Sequence, residues 1–102
     1  MLNLDKYAKI KKEREANKKK CYKKVLKQII CGVETVMVQD IDFLVYEVEP
    51  FMIGEVDYNM LECIDYIIKK INKDKNFGKI LEQINFIEPN VLYIKWSLSK
   101  ID

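Results

Sequence analysis

The sequence has no histidine, one arginine and only three cysteines, and these shortages limit the chemistry it can carry. Histidine is the commonest general base and a frequent zinc ligand, so its absence argues against acid–base catalysis and against a zinc site. Cys21, Cys31 and Cys63 form no C-x-x-C pair and are odd in number, which is typical of free thiols in a reducing compartment. We expect no cofactor, no metal and no small-molecule substrate.

Signatures of nucleotide binding, secretion and membrane insertion are also missing. Neither G-x-x-x-x-G-K-[ST] nor G-x-G-x-x-G occurs, and no spacing of carboxylates singles out a catalytic pair. The N-terminus lacks the apolar region of a signal peptide, and no apolar run approaches the ~20 residues of a membrane span. We therefore expect a protein that is neither an enzyme nor secreted.

What the sequence does contain is a strong separation of charge. Its 102 residues are 49% hydrophobic and 33% charged, which is typical of one globular domain. Residues 1–31 contain 11 Lys/Arg and 3 Asp/Glu, a net charge of +8, whereas residues 32–102 contain 7 and 13, a net charge of −6. This asymmetry, hidden in the overall charge of +2, is the best functional clue in the sequence.

The basic half is predicted to form a long helix. Helix-forming residues dominate from Leu4 to Lys20, where neither glycine nor proline occurs. The apolar face is thin there, so we expect residues 1–20 to form a basic helical arm that frays or projects, and residues 21–102 to form one compact α+β domain. From Tyr22 to about Val38 apolar residues recur at helical spacing, a stripe that either covers the protein's own sheet or docks a partner.

A buried strand and a second helix are predicted in the middle of the chain. Asp42–Glu49 is rich in β-branched and aromatic residues, and Pro50 ends it because proline lacks the N–H that a ladder needs. Gly54 suits a turn with positive φ. A capping box formed by Asn59 and Glu62 then opens an amphipathic helix over residues 59–73, in which Cys63 is expected to be a small core residue.

A hairpin is predicted to complete the sheet. Strands Ile80–Ile87 and Val91–Leu98 flank a three-residue turn with Pro89 at its second position and Asn90 left-handed. A register with one apolar face pairs Phe86 with Leu92, Ile84 with Ile94 and Ile80 with Leu98.

These elements together predict an α+β fold, in which a long N-terminal helix precedes a strand, a helix and two further strands. A right-handed crossover between the first two strands makes them parallel to one another, so that the last strand lies between them and antiparallel to both. The prediction is a three-stranded mixed sheet in the order 1–3–2, with the helices packed on one face.

Phe51, Met52 and Ile53 are too apolar for a free loop. Two interpretations are open: these residues plug one end of the core, or they form a partner-binding surface.

The segments YEVEPFMIGEVDYNMLECIDYI and EPNVLYIKW resemble a small uncharacterised domain family of giant (nucleocytoplasmic large) DNA viruses. The family pattern is Tyr-Glu-Val-Pro-x-Phe-x-x-Gly-x-Pro-x-Tyr, then Cys-x-x-Tyr, then Pro-Asn-x-Leu-x-Ile-x-Trp. The matching residues are Tyr46, Glu47, Val48, Phe51, Gly54, Tyr58, Cys63, Tyr66, Pro89, Asn90, Leu92, Ile94 and Trp96. Glu49 and Val56 stand where that pattern has prolines. The resemblance, over about residues 20–97, implies a viral origin and a virion role, located in the virion or the host cytoplasm, and implies no activity.

Two functional hypotheses follow. The first is a non-enzymatic structural or interaction protein, associated with a virion or its assembly, that binds a protein partner or itself; the basic arm would then contact the acidic body of a second copy head to tail. The second is sequence-independent nucleic-acid binding through the lysines of the first helix, since a basic helix supplies phosphate contacts while arginine, the usual base reader, occurs once. The candidate residues are Lys18, Lys19, Lys20, Lys23, Lys24 and Lys27. An acidic lipid surface is disfavoured by the thin apolar face before Tyr22.

Overall fold

The computed structural model describes residues 2–101 and confirms the predicted α+β fold. Its helices are α1 (Leu4–Met37), α2 (Met60–Lys73) and the short α3 (Phe77–Ile80), and its strands are β1 (Phe43–Glu47), β2 (Leu81–Ile87) and β3 (Val91–Trp96). A 3₁₀ turn, Leu98–Lys100, follows β3.

α1 is one uninterrupted helix of 34 residues. Its N-terminus is capped by Asn3, whose side chain accepts a hydrogen bond of 3.0 Å from the Lys6 backbone N–H. It ends at Met37, and Asp40, with a φ of 59°, turns the chain toward β1. At about 1.5 Å per residue α1 is about 51 Å long. The described chain measures 63 × 26 × 20 Å, so α1 sets its longest dimension and extends beyond the body, the name used here for residues 21–101.

The sheet has the predicted strand order β1–β3–β2. The last strand lies in the centre and is antiparallel to both neighbours, while β1 and β2 point the same way. Both ladders are therefore antiparallel, and the sheet is antiparallel rather than mixed. This arrangement follows from the crossover through α2, which leaves a gap between the first two strands that the returning hairpin fills.

The core lies between one face of this sheet and the two long helices. Alternate residues of β3, Leu92, Ile94 and Trp96, are completely buried, as expected for the central strand. α1 contributes a stripe of buried residues, and so does α2. The buried residues of the two helices are Cys21, Tyr22, Val25, Ile29, Val33, Cys63, Ile64, Ile67 and Ile71. The apolar stripe of α1 after Tyr22 thus covers the protein's own sheet.

The hairpin has the predicted three-residue loop and register. Phe86 pairs with Leu92 and Ile84 with Ile94, so the apolar side chains share one face. The pairing of Ile80 with Leu98 is wrong, because a register shift after Leu81 ends the ladder early. Ile80 instead belongs to α3, and its carbonyl accepts a hydrogen bond of 2.8 Å from the Ser97 N–H.

The turn between β2 and β3 also differs from the prediction. The Glu88–Pro89 bond is cis, and Asn90 does not have positive φ. Asn90 is buried, and its side-chain Nδ2 donates a hydrogen bond of 2.9 Å to the Val48 carbonyl. Its own carbonyl accepts from the Val48 N–H at 2.8 Å. These two bonds attach the turn to the end of β1.

Candidate functional site

The candidate lysines of α1 lie mostly on the side of the helix away from the sheet. Lys20, Lys23, Lys24 and Lys27 follow one another at spacings of three, one and three, and all are exposed, as is Lys19. Salt bridges within residues 2–101 involve none of these five lysines. They form a surface, here called the basic face, with five free ammonium groups.

Lys18 differs from the other candidate lysines because it faces the body. Its Nζ lies 3.2 Å from Glu62 Oε2 and 3.9 Å from Glu15 Oε1, and its side chain is only 23% exposed. Lys18 therefore positions the arm on α2, and its charge is already compensated.

The second candidate surface is a loop between β1 and α2, residues 50–57, here called the lip. Phe51 is 72% exposed and Ile53 is 95% exposed, whereas Met52 points inward and packs against the core. Met52 is thus a core residue, as the first interpretation held, whereas Phe51 and Ile53 are exposed and available to a partner, as the second held. Val56, which the sequence prediction missed, is 96% exposed. The sequence could have indicated this exposure, because Val56 is an apolar residue between Glu55 and Asp57 in a loop.

Several hydrogen bonds fix the conformation of the lip, although its apolar side chains are exposed. The Tyr58 hydroxyl donates a hydrogen bond of 2.6 Å to the Glu49 carbonyl and closes the loop at its base. The Cys21 thiol donates to Met52 Sδ at 3.2 Å. A turn from Met52 to Glu55 contains Gly54 at a φ of 82°, the positive value that the sequence predicted. A held loop presents its tips in a fixed arrangement, which favours specific contacts.

Beneath the lip, the Tyr22 hydroxyl joins α1 to the first turn of α2. It accepts a hydrogen bond of 3.2 Å from the Asn59 N–H and donates one of 3.0 Å to Glu62 Oε2. Only half of the predicted capping box is therefore formed. Asn59 Oδ1 accepts a hydrogen bond of 3.0 Å from the Glu62 N–H, but the Asn59 N–H donates to the Tyr22 hydroxyl and not directly to the Glu62 carboxylate. Burial raises the pKa of Tyr22 to about 12. The hydrogen bond from Tyr22, followed by that from Lys18, lowers the pKa of the Glu62 carboxyl.

The other polar groups of this cluster are kept neutral by their surroundings. Tyr22 packs against the rings of Tyr58 and Tyr66 with centroids 5.9 and 5.8 Å away. Burial raises the pKa of Tyr58, and it raises that of Cys63 to about 11. Cys63 is completely buried, so its thiol is the small core residue that the sequence predicted. The cluster joins α1, the lip and α2 without presenting a reactive group.

A third surface, not singled out by the sequence, is an apolar stripe on the arm. Leu4, Tyr7 and Ile10 are spaced by three, and their side chains are 67%, 62% and 39% exposed. The stripe adjoins the lip: Arg14 Nε lies 3.9 Å from Asp57 Oδ1, and a shallow groove of about 240 Å³ runs between arm and lip. The thin apolar pattern of residues 4–10 was visible in the sequence, but its exposure depends on where the body ends.

Two further apolar surfaces lie outside the predicted sites. The outer face of the sheet exposes about half of Phe43, Val45 and Ile87, with Phe43 stacked on Tyr93 at 6.2 Å. An open groove of about 460 Å³ lies between the C-terminal end of α1 and α3. In residues 2–101 no three His, Cys, Asp or Glu side chains are grouped as metal ligands. None of the helices described is both long and apolar enough to cross a membrane.

Comparison with known proteins identifies the family. The chain belongs to a family of unknown function (DUF5759), whose sequence profile matches residues 2–72. The match includes α1, β1 and the lip and reaches into the last turn of α2, but not the β2–β3 hairpin. No curated protein and no solved structure matches the chain.

Proposed function

We propose that this DUF5759 protein is a non-enzymatic structural or interaction protein of a giant DNA virus, associated with the virion or with its assembly. The observation that carries the proposal is the arm, a helix that extends beyond the body with Leu4, Tyr7 and Ile10 exposed. Apolar side chains on a projecting helix cost hydration free energy unless a partner covers them, and a helix face is a common docking element.

The viral part of the proposal comes from the residue pattern. The segments around Tyr46–Tyr66 and Pro89–Trp96 resemble those of a giant-virus domain family, and the three thiols are free, which suits the virion or host cytoplasm as a reducing location.

Fractionation of infected cells tests this role. Particles from cells infected with the virus are purified on a density gradient, washed at high salt and probed for the chain. We expect it to remain with the particles, and we expect Tyr7→Glu to be lost from them while Val45→Glu, an equally exposed control on the sheet, is retained. A chain that is absent from particles and from assembly intermediates would overturn the proposal.

The basic face supports one alternative, sequence-independent nucleic-acid binding. Its five free lysines on one side of a straight helix can track phosphates, and each phosphate contact makes the logarithm of the affinity fall with a slope of about 0.9 per decade of salt. Glutamate substitutions at Lys20, Lys23, Lys24 and Lys27 are the test variant.

The matched control carries the same four charge reversals on the body, at Lys73, Lys75, Lys79 and Lys100, which are also exposed. Binding to a random duplex and to a single strand is titrated with salt. A nucleic-acid role predicts that the α1 variant loses binding and most of its salt dependence, whereas the control keeps most of both. Absence of low-salt binding by the unmodified protein excludes this alternative.

A further inference from the structure

We propose that two copies of this chain associate through their arms, antiparallel to one another, so that the apolar stripe of each arm packs on the arm and lip of the other copy. The inference rests on the proposed interaction function and names its first partner, a second copy.

The arm stripe continues the docked side of α1. Leu4 and Tyr7 lie 18 residues before Tyr22 and Val25, which is about five helical turns, so each pair shares one side of the helix. Tyr22 and Val25 are buried against the body, whereas Leu4 and Tyr7 are more than 60% exposed. The stripe thus points to the side where the body lies, with Tyr7 and Ile10 at the edge of the lip and Leu4 further out along the arm.

The lip has the properties that this stripe requires in a partner. Its tips Phe51, Ile53 and Val56 are apolar and exposed. The stretch of chain that carries them is acidic, since residues 28–68 contain nine Asp/Glu and no Lys/Arg, and within residues 2–101 of the same copy only Asp57 and Glu62 of these carboxylates pair with cations of the arm, Arg14 and Lys18. Residues 1–20 have eight Lys/Arg and three Asp/Glu. Opposite charges beside matching apolar surfaces both steer and orient association.

The stripe of one copy reaches only the edge of its own lip: Tyr7 and Ile10 line a groove with Asp57, yet Tyr7 and Leu4 stay more than 60% exposed. The contact between Arg14 and Asp57 marks the level at which the arm passes the lip. Leu4 lies ten residues further along the helix, about 15 Å away. A continuous helix does not fold back, so a second molecule is needed to bring Leu4 onto a lip and to cover the exposed side of Tyr7.

A two-fold axis near Lys9 satisfies both copies at once. In an antiparallel pair centred there, Leu4 of one copy lies opposite Arg14 of the other and therefore beside its lip. Tyr7 and Ile10 of the two arms face each other across the axis, and Lys6 approaches the carboxylates of Glu55 and Asp57. Such an isologous contact closes on itself, so association stops at the dimer.

Sedimentation of the full chain over a wide concentration range, at low and high salt, tests the arrangement. We expect a monomer–dimer equilibrium that weakens with salt and shows no larger species. Tyr7→Glu in the arm and Ile53→Glu in the lip should each raise the dissociation constant about tenfold or more. Val45→Glu, on the exposed outer face of the sheet, should leave it unchanged, and circular dichroism checks that all three variants fold.

Exchange of charge between arm and lip gives a sharper test. Lys6→Glu weakens the dimer, and so does Glu55→Lys. The two substitutions combined in one chain should restore it, because the contact between Lys6 and Glu55 is then present twice with its sign reversed. Lys73→Glu with Lys79→Glu serves as the charge control.

Three outcomes would overturn the inference: a monomer at every concentration, a mass that grows beyond the dimer, or a dimer abolished by Val45→Glu but not by Ile53→Glu. Retention of the chain on virus particles is independent of all three. A monomeric protein that stays with particles disproves only the dimer, and a dimer that is absent from particles disproves only the virion role.

Discussion

The arm and the second half of α1, residues 21–37, belong to the same helix but are stabilised differently. The second half contains all five buried residues of α1, whereas residues 2–20 contribute none. The arm is rich in strong helix formers, while the second half includes Val, Ile, Thr and Gly32, which are weaker. The half with poorer intrinsic propensity is therefore the one fixed by packing, and the half with better propensity depends on its own turns and its cap.

The same contrast separates stability from interaction. A residue that packs on the sheet contributes to the free energy of unfolding, whereas an exposed residue of the arm is available to a partner. Corresponding substitutions in the two halves should therefore give unequal effects, and the four tests below run from the largest expected difference to the smallest.

Isoleucine-to-alanine substitutions should give the largest difference in the free energy of unfolding between the two halves of α1. Ile29 is completely buried, so Ile29→Ala should lower the free energy of unfolding by about 2–5 kcal/mol. Ile10 is 39% exposed, and Ile10→Ala should change it by about 0.5 kcal/mol or less. Urea denaturation with an unchanged m-value measures both. Similar losses in the two variants would mean that the arm is packed as well as the second half.

Tyrosine-to-phenylalanine substitutions compare hydrogen bonding. Tyr22→Phe leaves the Asn59 N–H without its acceptor and should cost about 1–2 kcal/mol. Tyr7 is exposed, and Tyr7→Phe should be close to neutral. Thermal unfolding is the measurement, with a midpoint lowered by about 4–8 °C per kcal/mol for a domain of this size. Equal midpoints for the two variants would show that the bridge between α1 and α2 contributes nothing.

Tyr22 also predicts a difference at alkaline pH. Because burial raises the pKa of Tyr22 from 10.0 to about 12, the neutral phenol is favoured in the folded state. Its contribution to stability is complete below pH 10 and is lost as the pH rises toward about 12. Tyr22→Phe should therefore lose less stability than the unmodified protein over that interval.

Removal of the arm's cap should have the smallest effect on the whole molecule. Asn3→Ala deletes the acceptor for the Lys6 N–H and should weaken the first turns of α1 by about 0.5–2 kcal/mol. Hydrogen exchange should become faster in the arm and remain slow in residues 21–37, with the urea midpoint unchanged. Faster exchange in both halves would show that α1 opens as one unit.

Features set by local pattern could be predicted from the sequence. The Asn59 cap and the 3-and-4 spacing up to Ile71 define α2, and the alternation around Ile84 and Ile94 fixes the hairpin register, because a slip would turn amides toward the core. The strand order 1–3–2 was predicted correctly, but the crossover alone does not determine it, since β1 and β2 could also have been neighbours.

Features that depend on distant residues could not be predicted. The phenol inside the capping box comes from Tyr22, 37 residues before Asn59. Asn90 was expected to be left-handed because its attachment to Val48, 42 residues earlier, has no local sign. α3 was missed because Asp74 looks like an ordinary polar residue after a helix. In the structure its Oδ1 accepts a hydrogen bond of 2.8 Å from the Phe77 N–H at the start of α3.

The candidate surfaces show the same limit. Phe51 and Ile53 were recognised as unusual loop residues, but only the contact between Met52 and Cys21 decides which side chain of the three turns inward. Lys18 differs from the other candidate lysines because it pairs with Glu62 of α2, a contact that the sequence around Lys18 does not indicate.

The strand order has a consequence for the order in which the protein is made. β1 forms its ladder with β3 and not with β2, so Phe43 must wait for Lys95 to leave the ribosome. At about 5–20 residues per second this wait lasts roughly 3–10 s, during which the nascent chain carries an unpaired strand and an uncovered α1. The central strand arrives last and completes both ladders together. A ribosome that pauses before the codons of β3 should therefore hold a chain that proteases and chaperones recognise as unfolded.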